Sequence, residues 1–358
     1  MKILSVVGAR PQFVKLAPIC LEAARRGLDH IIVHTGQHYD PKLSEVFFRD
    51  LEIPAPDVHL GVGSGSHGKQ TGAMLAALDD VLLEHRPDWT IVYGDTNSTL
   101  AAAIAASKMH LPVAHLEAGL RSFNRRMPEE HNRVLTDHAA DLLLAPTQIA
   151  ADHLSAEGLK HRTVVVGDVM TDVLLKVKEE VAVRSDAILA RLGVERSAYY
   201  VATIHRAENT DHAERLRSII AALGELDLPV LLFAHPRLLA KAREHSVDLT
   251  QGKLALHSAV AYPTLVAAVM ASRGVVTDSG GLQKEAFLLR VPCTTVRTET
   301  EWIETVELRW NKLAKPGAAL IAAAQRPRPS ETDATPYGDG NAAVHVLDAL
   351  ETRLFEPI

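Results

Sequence analysis

Short runs of branched apolar residues alternate with longer helical stretches along almost the whole chain, and this alternation restricts the fold more than any other feature. The apolar runs have the length of buried strands and cover residues 3–7, 30–34, 90–93, 113–116, 141–145, 163–166, 199–204, 230–234, 253–256, 274–277 and 292–296. Helical patterns cover residues 11–26, 69–85, 98–109, 171–191, 211–224 and 280–289. Strands that alternate with such helices form right-handed βαβ units and parallel sheets. Because the alternation occurs twice, the sequence predicts an α/β fold with two Rossmann-like, doubly wound parallel-sheet domains.

The two passes of this pattern predict where the domains divide. Residues 1–170 are expected to form the N-terminal domain and residues 171–340 the C-terminal domain. A long charged helix over residues 171–191 is expected between the two passes. The last helix, within about residues 341–358, is expected to pack back on the N-terminal domain. We expect the active site in the cleft between the domains, because open parallel sheets bind ligands beyond the carboxyl ends of their strands.

Composition and charge exclude several classes of protein. Hydrophobic residues make up 47% of the 358 residues, which is typical of a globular protein. The 38 basic and 44 acidic side chains give a net charge of -6, so neither a nucleic-acid nor a membrane-surface partner is expected. No apolar run reaches the roughly 18 residues of a membrane helix. The two cysteines, Cys20 and Cys293, lie far apart in apolar surroundings, which favours a cytoplasmic protein without disulfides.

Candidate catalytic carboxylates follow two strands of the N-terminal domain. Asp95 directly follows the apolar run over residues 90–93, and Glu117 is the first residue after the run over residues 113–116. Glu117 also opens a stretch that is dense in charge and ends with Glu129 and Arg133. Glu129 lies in a first helical turn, so a role as partner of the helix dipole stays open for it. We expect these carboxylates to act in acid and base chemistry.

Basic residues follow the first strand. Residues 8–15 (GARPQFVK) place Arg10 in the turn and Lys15 about one turn into the next helix, where both can face an anion. This turn lacks the G-x-G-x-x-G pattern of dinucleotide-binding folds, so no nicotinamide cofactor is expected. The 18 histidines show no metal-ligand spacing, so no metal site is expected either.

The C-terminal domain carries the clearest signal for a nucleotide. A strand ends before Ser279, Gly280 and Gly281, and a helix begins there. Glycines allow close approach of the backbone, and free N–H groups at a helix start suit a diphosphate. Glu285, one turn further, can accept hydrogen bonds from ribose hydroxyls, while a plain helix cap is the alternative. His205 ends the first strand of this domain and is expected to face the ligand.

Six motifs together resemble the non-hydrolysing UDP-N-acetylglucosamine 2-epimerases. They are GARPQFVK (8–15), GDTNST (94–99), HLEAGLR (115–121), PEEHNR (128–133), HRAEN (205–209) and DSGGLQKE (278–285). Any one of them alone is weakly specific, but their order and spacing match the family over nearly the whole chain. The resemblance implies a GT-B fold, a cytoplasmic homodimer, a UDP-sugar substrate and a reaction without NAD or another cofactor.

The resemblance also assigns roles to residues. It implies that UDP is eliminated across carbons 1 and 2 of UDP-GlcNAc to leave 2-acetamidoglucal, and that re-addition gives UDP-ManNAc for envelope polysaccharides. The catalytic residues that it implies are Asp95, Glu117, Glu129 and His205. The substrate-binding and UDP-binding residues that it implies are Arg10, Lys15, Arg133, Ser279, Gly280, Gly281 and Glu285.

Several alternatives remain open at this level. Residues 37–40 (QHYD) depart from the Gln-His-x-Gln of members with a second, regulatory UDP-GlcNAc site, which puts such regulation in doubt. Residues 35–40 (TGQHYD) and 122–128 (SFNRRMP) look most like the branch that includes epimerases of UDP-2,3-diacetamido-glucuronate. A hydrolysing 2-epimerase, a GT-B glycosyltransferase and a nucleotide-sugar-binding protein without activity are the other readings.

Overall fold

The computed structural model describes residues 1–37 and 53–353, with the side chain of Arg10 excepted. The chain divides into two compact units. The first unit runs from Met1 to Val173 and includes the chain from Thr335 onward, and the second runs from Leu174 to Ala334. Each unit is described by itself below.

The first unit contains, within the described residues, a parallel sheet of seven strands in the order β3-β2-β1-β4-β5-β6-β7. Its strands are β1 (Lys2–Val7), β2 (Asp29–His34), β3 (Val58–His59), β4 (Trp89–Tyr93), β5 (Val113–Leu116), β6 (Leu142–Ala145) and β7 (Thr163–Val165). The apolar runs predict all of these strands except β3. This edge strand has two residues, too few to give a detectable apolar pattern.

The second unit contains a parallel sheet of six strands in the order β10-β9-β8-β11-β12-β13, again within the described residues. Its strands are β8 (Tyr200–Thr203), β9 (Val230–Ala234), β10 (Leu254–Ser258), β11 (Gly274–Thr277), β12 (Cys293–Thr295) and β13 (Asn311–Leu313). The sequence pattern misses β13, whose three residues (NKL) include two polar ones at the sheet edge. The fold is therefore α/β with two doubly wound parallel sheets, as predicted.

Helices connect the strands in both units. In chain order they are α1 (Arg10–Arg25), α2 (His67–His85), α3 (Asn97–Lys108), α4 (Pro128–Ala139), α5 (Gln148–Ala156), α6 (Val169–Ala182), α7 (Ser185–Leu192), α8 (Ala207–Thr210), α9 (Ala213–Gly224), α10 (Pro236–Glu244), α11 (Tyr262–Met270), α12 (Gly280–Leu288), α13 (Ile303–Glu307), α14 (Ala318–Ala324) and α15 (Ala342–Arg353). A 3-10 turn at Lys160–Arg162 precedes β7.

The single long helix predicted over residues 171–191 is wrong. Two helices, α6 and α7, cover this stretch, with a break at Arg184. Arg184 has a φ of -119° and a ψ of 9°, and its N–H bonds to the Val181 carbonyl three residues back. The sequence carries reasons for the break, since branched Val183 is a poor helix residue and Asp186 suits the first turn of a new helix.

The last helix, α15, packs on α1 in the first unit. Val346, Leu347 and Leu350 of α15 belong to the same buried cluster as apolar residues of α1 and β1. Arg26, just after α1, extends the contact with ion pairs of 2.8 Å to Asp348 and 3.1 Å to Glu351. The end of the described chain is therefore part of the first unit's core.

Strand order locates the places where these sheets bind ligands. Strand order reverses between β1 and β4 in the first sheet and between β8 and β11 in the second. Helices leave the sheet to opposite sides at such a switch point and open a crevice beyond the carboxyl ends of the strands. The sequence predicts functional residues in the segments after β1, β4, β8 and β11, and also after β5, which is next to β4.

The described residues contain neither a membrane-spanning helix nor a cluster of metal ligands. None of the described helices has the length and apolar character needed to cross a membrane. Among residues 1–37 and 53–353, no group of three or more His, Cys, Asp or Glu side chains could hold a metal ion. Cys20 and Cys293 are both buried and free.

Candidate active site

The turn after β1 is held by Gln12 in α1. The Gln12 side-chain oxygen accepts the N–H groups of Gly8 at 2.8 Å and Ala9 at 3.0 Å. Its amide nitrogen donates to the Tyr93 carbonyl at the end of β4, at 2.9 Å. Gln12 therefore fixes the start of α1 against the neighbouring strand. Arg10 is the first residue of α1, but its side chain lies outside the described part of the structure.

Lys15 and Glu117 form an ion pair next to this turn. The ammonium of Lys15 contacts Oε2 of Glu117, and both side chains are largely buried. Gly94 leaves room for the ammonium, because a Cβ there would come within 2.9 Å of Lys15 Nζ. Lys15, which the sequence predicts to face an anion, thus pairs with Glu117, the carboxylate that follows β5.

Carboxylates keep Lys15 charged. Burial of the ammonium favours the neutral form and is the largest single influence on it. The charges of Glu117, Asp95 and Asp168 outweigh this influence, so the pKa of Lys15 is raised above its ordinary value of 10.5. Lys15 therefore remains a cation at neutral pH and is available to balance negative charge.

Glu117 has an unusual backbone conformation. Its φ of 73° lies in the left-handed region, which costs a non-glycine residue about 1–2 kcal/mol. The N–H groups of Glu117 and Ala118 both donate to the Leu144 carbonyl of β6, at 3.1 and 3.2 Å, and hold this turn in place. Strained residues of this kind persist where the surrounding structure fixes them, and they are common at active sites.

Asp95 pairs with Arg133. The distance from Arg133 Nη2 to Asp95 Oδ2 is 2.5 Å, and Asp95 is 30% exposed, so part of its carboxylate faces solvent. Arg133 Nη1 also donates to Glu130 at 3.0 Å. Burial of Arg133 favours its neutral form, but the carboxylates of Asp95, Glu130 and Glu117 have the larger combined effect. The pKa of Arg133 is therefore raised above its ordinary value, and the guanidinium stays charged. The cluster thus holds two cations, Lys15 and Arg133, each bound to a carboxylate.

The neighbours Glu129 and Glu130 have different environments. Glu130 is buried and accepts the Ser122 N–H, the Ser122 hydroxyl and the Phe123 N–H, each at 2.9 Å. Burial raises the pKa of Glu130, but these hydrogen bonds and Arg133 lower it below its ordinary value. Glu130 therefore fastens the loop that precedes α4. Glu129 is only partly buried and makes no ion pair within the described residues, so its carboxylate remains available.

A second charge network, which the sequence analysis did not predict, lies next to these residues. His115 Nδ1 is 2.6 Å from Asp137 Oδ1, and Nε2 donates to the Gly94 carbonyl at 2.7 Å. Arg121 binds Asp137 at 2.7 Å and makes two 2.8 Å hydrogen bonds to Glu157. His115 and Asp137 are fully buried. This network joins the segments that carry Asp95 and Glu117.

One sequence signal points to Asp137. Glu130, Arg133 and Asp137 are spaced three and four residues apart in α4 and therefore lie on one helix face. The described hydrogen bonds of these three side chains join one another and the segments that carry Asp95 and Glu117. A charged stripe on a helix that follows a charge-dense loop is a detectable pattern.

In the second unit, the turn after β11 leads into α12 with a serine cap and two glycines. Ser279 caps α12, and its hydroxyl accepts the Leu282 N–H at 3.4 Å. Gly280 faces Glu301, because a Cβ there would lie 2.5 Å from Glu301 Oε1. Glu301 also pairs with Arg297 at 2.9 Å. Gly281 is exposed, and a Cβ there would meet nothing closer than the Ser279 hydroxyl at 4.0 Å.

His205 and Glu285 lie around the same turn. His205 follows β8, is 36% exposed, and has Nδ1 3.2 Å from Oδ1 of the fully buried Asp278. Glu285 lies in α12 and is buried, and it accepts the Tyr262 hydroxyl at 2.9 Å. Asp278 immediately precedes Ser279, so the histidine lies close to the helix start. The structure thus brings Ser279, Gly280, His205 and Glu285 to one end of the second sheet.

The two sets of residues can perform different chemistry. The first unit offers three carboxylates, Asp95, Glu117 and Glu129, and the first two are paired with cations. Carboxylates can accept and donate protons. The second unit offers a helix start with glycines, which suits a phosphate group. Residues 38–40, which belong to the QHYD and TGQHYD motifs of the sequence analysis, lie outside the described residues.

Comparisons with known proteins identify the family. The family model described as UDP-N-acetylglucosamine 2-epimerase matches residues 22–351. A UDP-N-acetylglucosamine 2-epimerase homolog of Methanococcus maripaludis is 45% identical over 98% of this chain and 99% of its own length. A UDP-2,3-diacetamido-2,3-dideoxy-D-glucuronate 2-epimerase of Pseudomonas aeruginosa is 43% identical over 98% of this chain and 99% of its own length.

Solved structures agree with this match. The crystal structure of Methanocaldococcus jannaschii UDP-GlcNAc 2-epimerase in complex with UDP-GlcNAc and UDP is 38% identical, with a TM-score of 0.86. The similarity covers 98% of this chain and 100% of that one. The match of the family model, the relatives and the fold, together with the clustered carboxylates, shows that this chain belongs to the UDP-N-acetylglucosamine 2-epimerase family of isomerases.

Proposed function

We propose that this chain interconverts UDP-GlcNAc and UDP-ManNAc by elimination of UDP and its re-addition. The observation that carries the proposal is the cluster in the first unit. Asp95 and Glu117 follow adjacent parallel strands, β4 and β5, and each is bound to a cation, Arg133 or Lys15. Glu129 adds a third carboxylate in the same loop region. An epimerisation needs acid and base groups on both faces of one carbon, which a single carboxylate does not supply.

The substrate's chemistry requires these residue types. Carbon 2 of the sugar has no neighbouring ketone, so its proton is too weakly acidic for a lone base. When the bond from carbon 1 to UDP breaks, its electron pair leaves with the diphosphate oxygen and the ring becomes cationic. The proton on carbon 2 then passes to a carboxylate, and the double bond of 2-acetamidoglucal forms. Carboxylates stabilise the cationic ring, and cations stabilise the leaving diphosphate.

Re-addition completes the reaction. A second carboxylic acid delivers a proton to the opposite face of carbon 2, and the diphosphate oxygen of UDP attacks carbon 1. One carboxylate has then gained a proton and another has lost one, so the pair must exchange protons with water before the next turnover. Asp95, Glu117 and Glu129 are the proposed members of this set.

The remaining predicted residues fit substrate binding. We assign the diphosphate to the helix start at Ser279, Gly280 and Gly281 in the second unit, and we assign substrate binding to Arg10, Lys15 and Arg133 in the first unit. Lys15 and Arg133 are bound to Glu117 and Asp95, so each cation lies next to a proposed catalytic carboxylate. Glu285, which Tyr262 holds by a hydrogen bond, would accept from ribose hydroxyls.

The proposal extends to the assembly and setting of the protein. We propose a cytoplasmic homodimer that works without NAD and supplies a sugar for envelope polysaccharides. Sedimentation of the purified protein at micromolar concentration is expected to give twice the mass of one chain. Activity is expected to survive extensive dialysis and chelation without added cofactor.

Deuterium incorporation tests the reaction. The protein is incubated with UDP-GlcNAc in deuterated water, and the sugar is analysed by NMR. Deuterium at carbon 2 and formation of UDP-ManNAc are expected. Absence of exchange with any UDP-2-acetamido sugar would contradict the proposal. Irreversible release of free ManNAc and UDP would identify a hydrolysing enzyme, and turnover only with an added acceptor would identify a glycosyltransferase.

A second substrate is favoured by specific observations. One relative, 43% identical, is named for UDP-2,3-diacetamido-2,3-dideoxy-D-glucuronate, whose sugar carries a carboxylate. Arg125 and Arg126 are exposed in the loop before α4, and neither guanidinium has an ion pair within the described residues. Both are available to bind an anionic sugar. Comparison of kcat/KM for the two substrates, in the wild type and in Arg125→Gln and Arg126→Gln, decides between them.

A protein that only binds nucleotide sugars is distinguished by variants. Asp95→Asn and Glu117→Gln are expected to abolish exchange at carbon 2. UDP affinity, measured by calorimetry, is expected to change much less than the exchange rate. If the wild type binds UDP-GlcNAc but shows no exchange, the protein is a binder and not an epimerase.

A further inference from the structure

Asp278 lies where two functional segments of the second unit meet. β8 and β11 are adjacent parallel strands, and Thr203 pairs with Thr277 at their carboxyl ends. The next residues of the two strands lead to His205 on one side and to Asp278 and Ser279 on the other. Asp278 is therefore in contact with the histidine and covalently linked to the turn that is proposed to bind the diphosphate.

The carboxylate of Asp278 is fully buried and fixed by several donors. It accepts the His205 N–H at 3.0 and 3.1 Å, the Arg206 N–H at 2.9 Å and the Asn209 side-chain amide at 3.0 Å. These bonds determine the position of its oxygens independently of the imidazole ring. The ring of His205 then places Nδ1 3.2 Å from Oδ1.

This geometry has a consequence for the imidazole. The contact from Nδ1 to Asp278 is an ion-pair distance without the alignment of a hydrogen bond, and the negative charge of a carboxylate at this distance favours hydrogen on the ring nitrogen that lies next to it. The nitrogen next to Asp278 is Nδ1, and the side chain of His205 is 36% exposed. Nε2 of His205 makes no hydrogen bond within the described residues.

We propose that Asp278 is a positioning residue that holds His205 in the Nδ1–H tautomer and presents Nε2 to the reacting substrate. The proposal rests on the assignment of His205 as a catalytic residue in the proposed function. Asp278 does not touch the substrate and acts through the histidine. The competing explanation is that Asp278 only caps the turn at residues 205–209.

The tautomer of His205 is measured directly by long-range proton–nitrogen NMR on 15N-labelled full-length protein, with His205→Gln to assign the signals. The neutral ring is expected to carry its hydrogen on Nδ1 in the wild type and to shift toward the Nε2–H form in Asp278→Asn. Asn209→Ala is the matched control, because it removes a different donor from the same carboxylate, and the tautomer is expected to stay Nδ1–H. An Nε2–H tautomer in the wild type overturns the proposal even if Asp278→Asn does not fold.

A double-mutant cycle separates positioning from capping. Asp278→Asn is expected to lower kcat at least tenfold while the dissociation constant for UDP changes less than about threefold. In the His205→Gln background, the same change is expected to lower the residual kcat less than about threefold. An equal loss in both backgrounds shows a purely structural role and overturns the proposal.

Failure of the epimerase assignment gives a different result from failure of this proposal. If wild-type protein shows no exchange at carbon 2 with any UDP-2-acetamido sugar, the proposed function fails while the tautomer measurement still stands. If exchange occurs and the tautomer or the cycle gives the opposite result, only the role of Asp278 is overturned.

Discussion

Each unit of this protein places a histidine against a buried aspartate at the carboxyl end of its sheet, but the two pairs are built differently. His115 is fully buried, with both ring nitrogens bonded, one to Asp137 and the other to the Gly94 carbonyl. His205 is 36% exposed, with Nδ1 near Asp278 and no described hydrogen bond at Nε2. The same two residue types therefore make a fully bonded structural link in one unit and leave one ring nitrogen without a described hydrogen bond in the other.

This difference shows how to assign a role to a histidine in such a sheet. A histidine with both nitrogens occupied cannot exchange a proton with a substrate unless the core opens. A histidine with one nitrogen fixed and the other exposed can do so, and its partner sets the tautomer. The comparison predicts that changes at the first pair affect stability and that changes at the second affect turnover.

The largest expected effect on turnover comes from the pair of His205 and Asp278, called here the exposed pair because its histidine is partly exposed. His205→Ala is expected to lower kcat for exchange at carbon 2 by roughly 10²–10⁴-fold, the usual contribution of a general acid or base. The urea midpoint is expected to remain close to that of the wild type, because the ring is partly exposed. Unchanged exchange in this variant would remove His205 from the mechanism.

The pair of His115 and Asp137, called here the closed pair because both side chains are fully buried, is expected to control stability. Asp137→Asn removes the charge that balances His115 and part of Arg121, and breaking a buried pair of this kind costs about 3–5 kcal/mol. The free energy of unfolding from urea titration measures this loss. Asp186→Asn is the control, because it breaks an ion pair with Arg196 that is exposed to solvent, and no measurable change is expected. Equal effects of the two variants would show that the buried network contributes little.

Acid is expected to weaken the closed pair. Burial raises the pKa of Asp137, but His115 and Arg121 lower it below its ordinary value of 3.8. A carboxyl with a lowered folded pKa stabilises the protein above its unfolded pKa, and the stability is lost as the pH falls through the folded pKa. The gap in unfolding free energy between wild type and Asp137→Asn is expected to be constant above about pH 5 and to narrow below pH 3.8. A gap that does not change with pH contradicts this origin.

The smallest expected effect concerns the turn beside the exposed pair. Gly280→Ala places a Cβ 2.5 Å from Glu301 Oε1, so this flexible side chain must move. UDP binding measured by calorimetry is expected to weaken by a few fold, equivalent to about 1 kcal/mol. Gly281→Ala is the matched control, because its Cβ meets only the Ser279 hydroxyl at 4.0 Å. Equal affinities of the two variants would show that Glu301 adapts without cost.

Most of the fold could be predicted from the sequence because buried parallel strands are nearly continuous apolar runs. The strands that escaped prediction, β3 and β13, have two and three residues and lie at sheet edges, where burial does not impose that pattern. The break at Arg184 was not predicted because the helical periodicity of the apolar residues continues across it. Local backbone angles interrupt the helix while the apolar positions keep their spacing.

The candidate site was only partly predictable. The rule that ligands bind beyond the carboxyl ends of strands singled out Asp95, Glu117 and His205 from their place in the chain. It did not separate Glu129 from Glu130, which are neighbours in sequence with the same chemistry. Three donors from the preceding loop and one from Arg133 occupy Glu130. These partners are known only when the loop folds back on α4.

By itself, the sequence determined the fold class, the family and the segments that carry the chemistry, because these depend on local periodicity and on motifs that are continuous in the chain. The tertiary structure decided which charges pair. Lys15 meets Glu117 across 102 positions, and Asp278 meets His205 across 73. Whether both ring nitrogens of a histidine are hydrogen-bonded depends on burial and on partners from other segments. These are determined only when the sheet assembles.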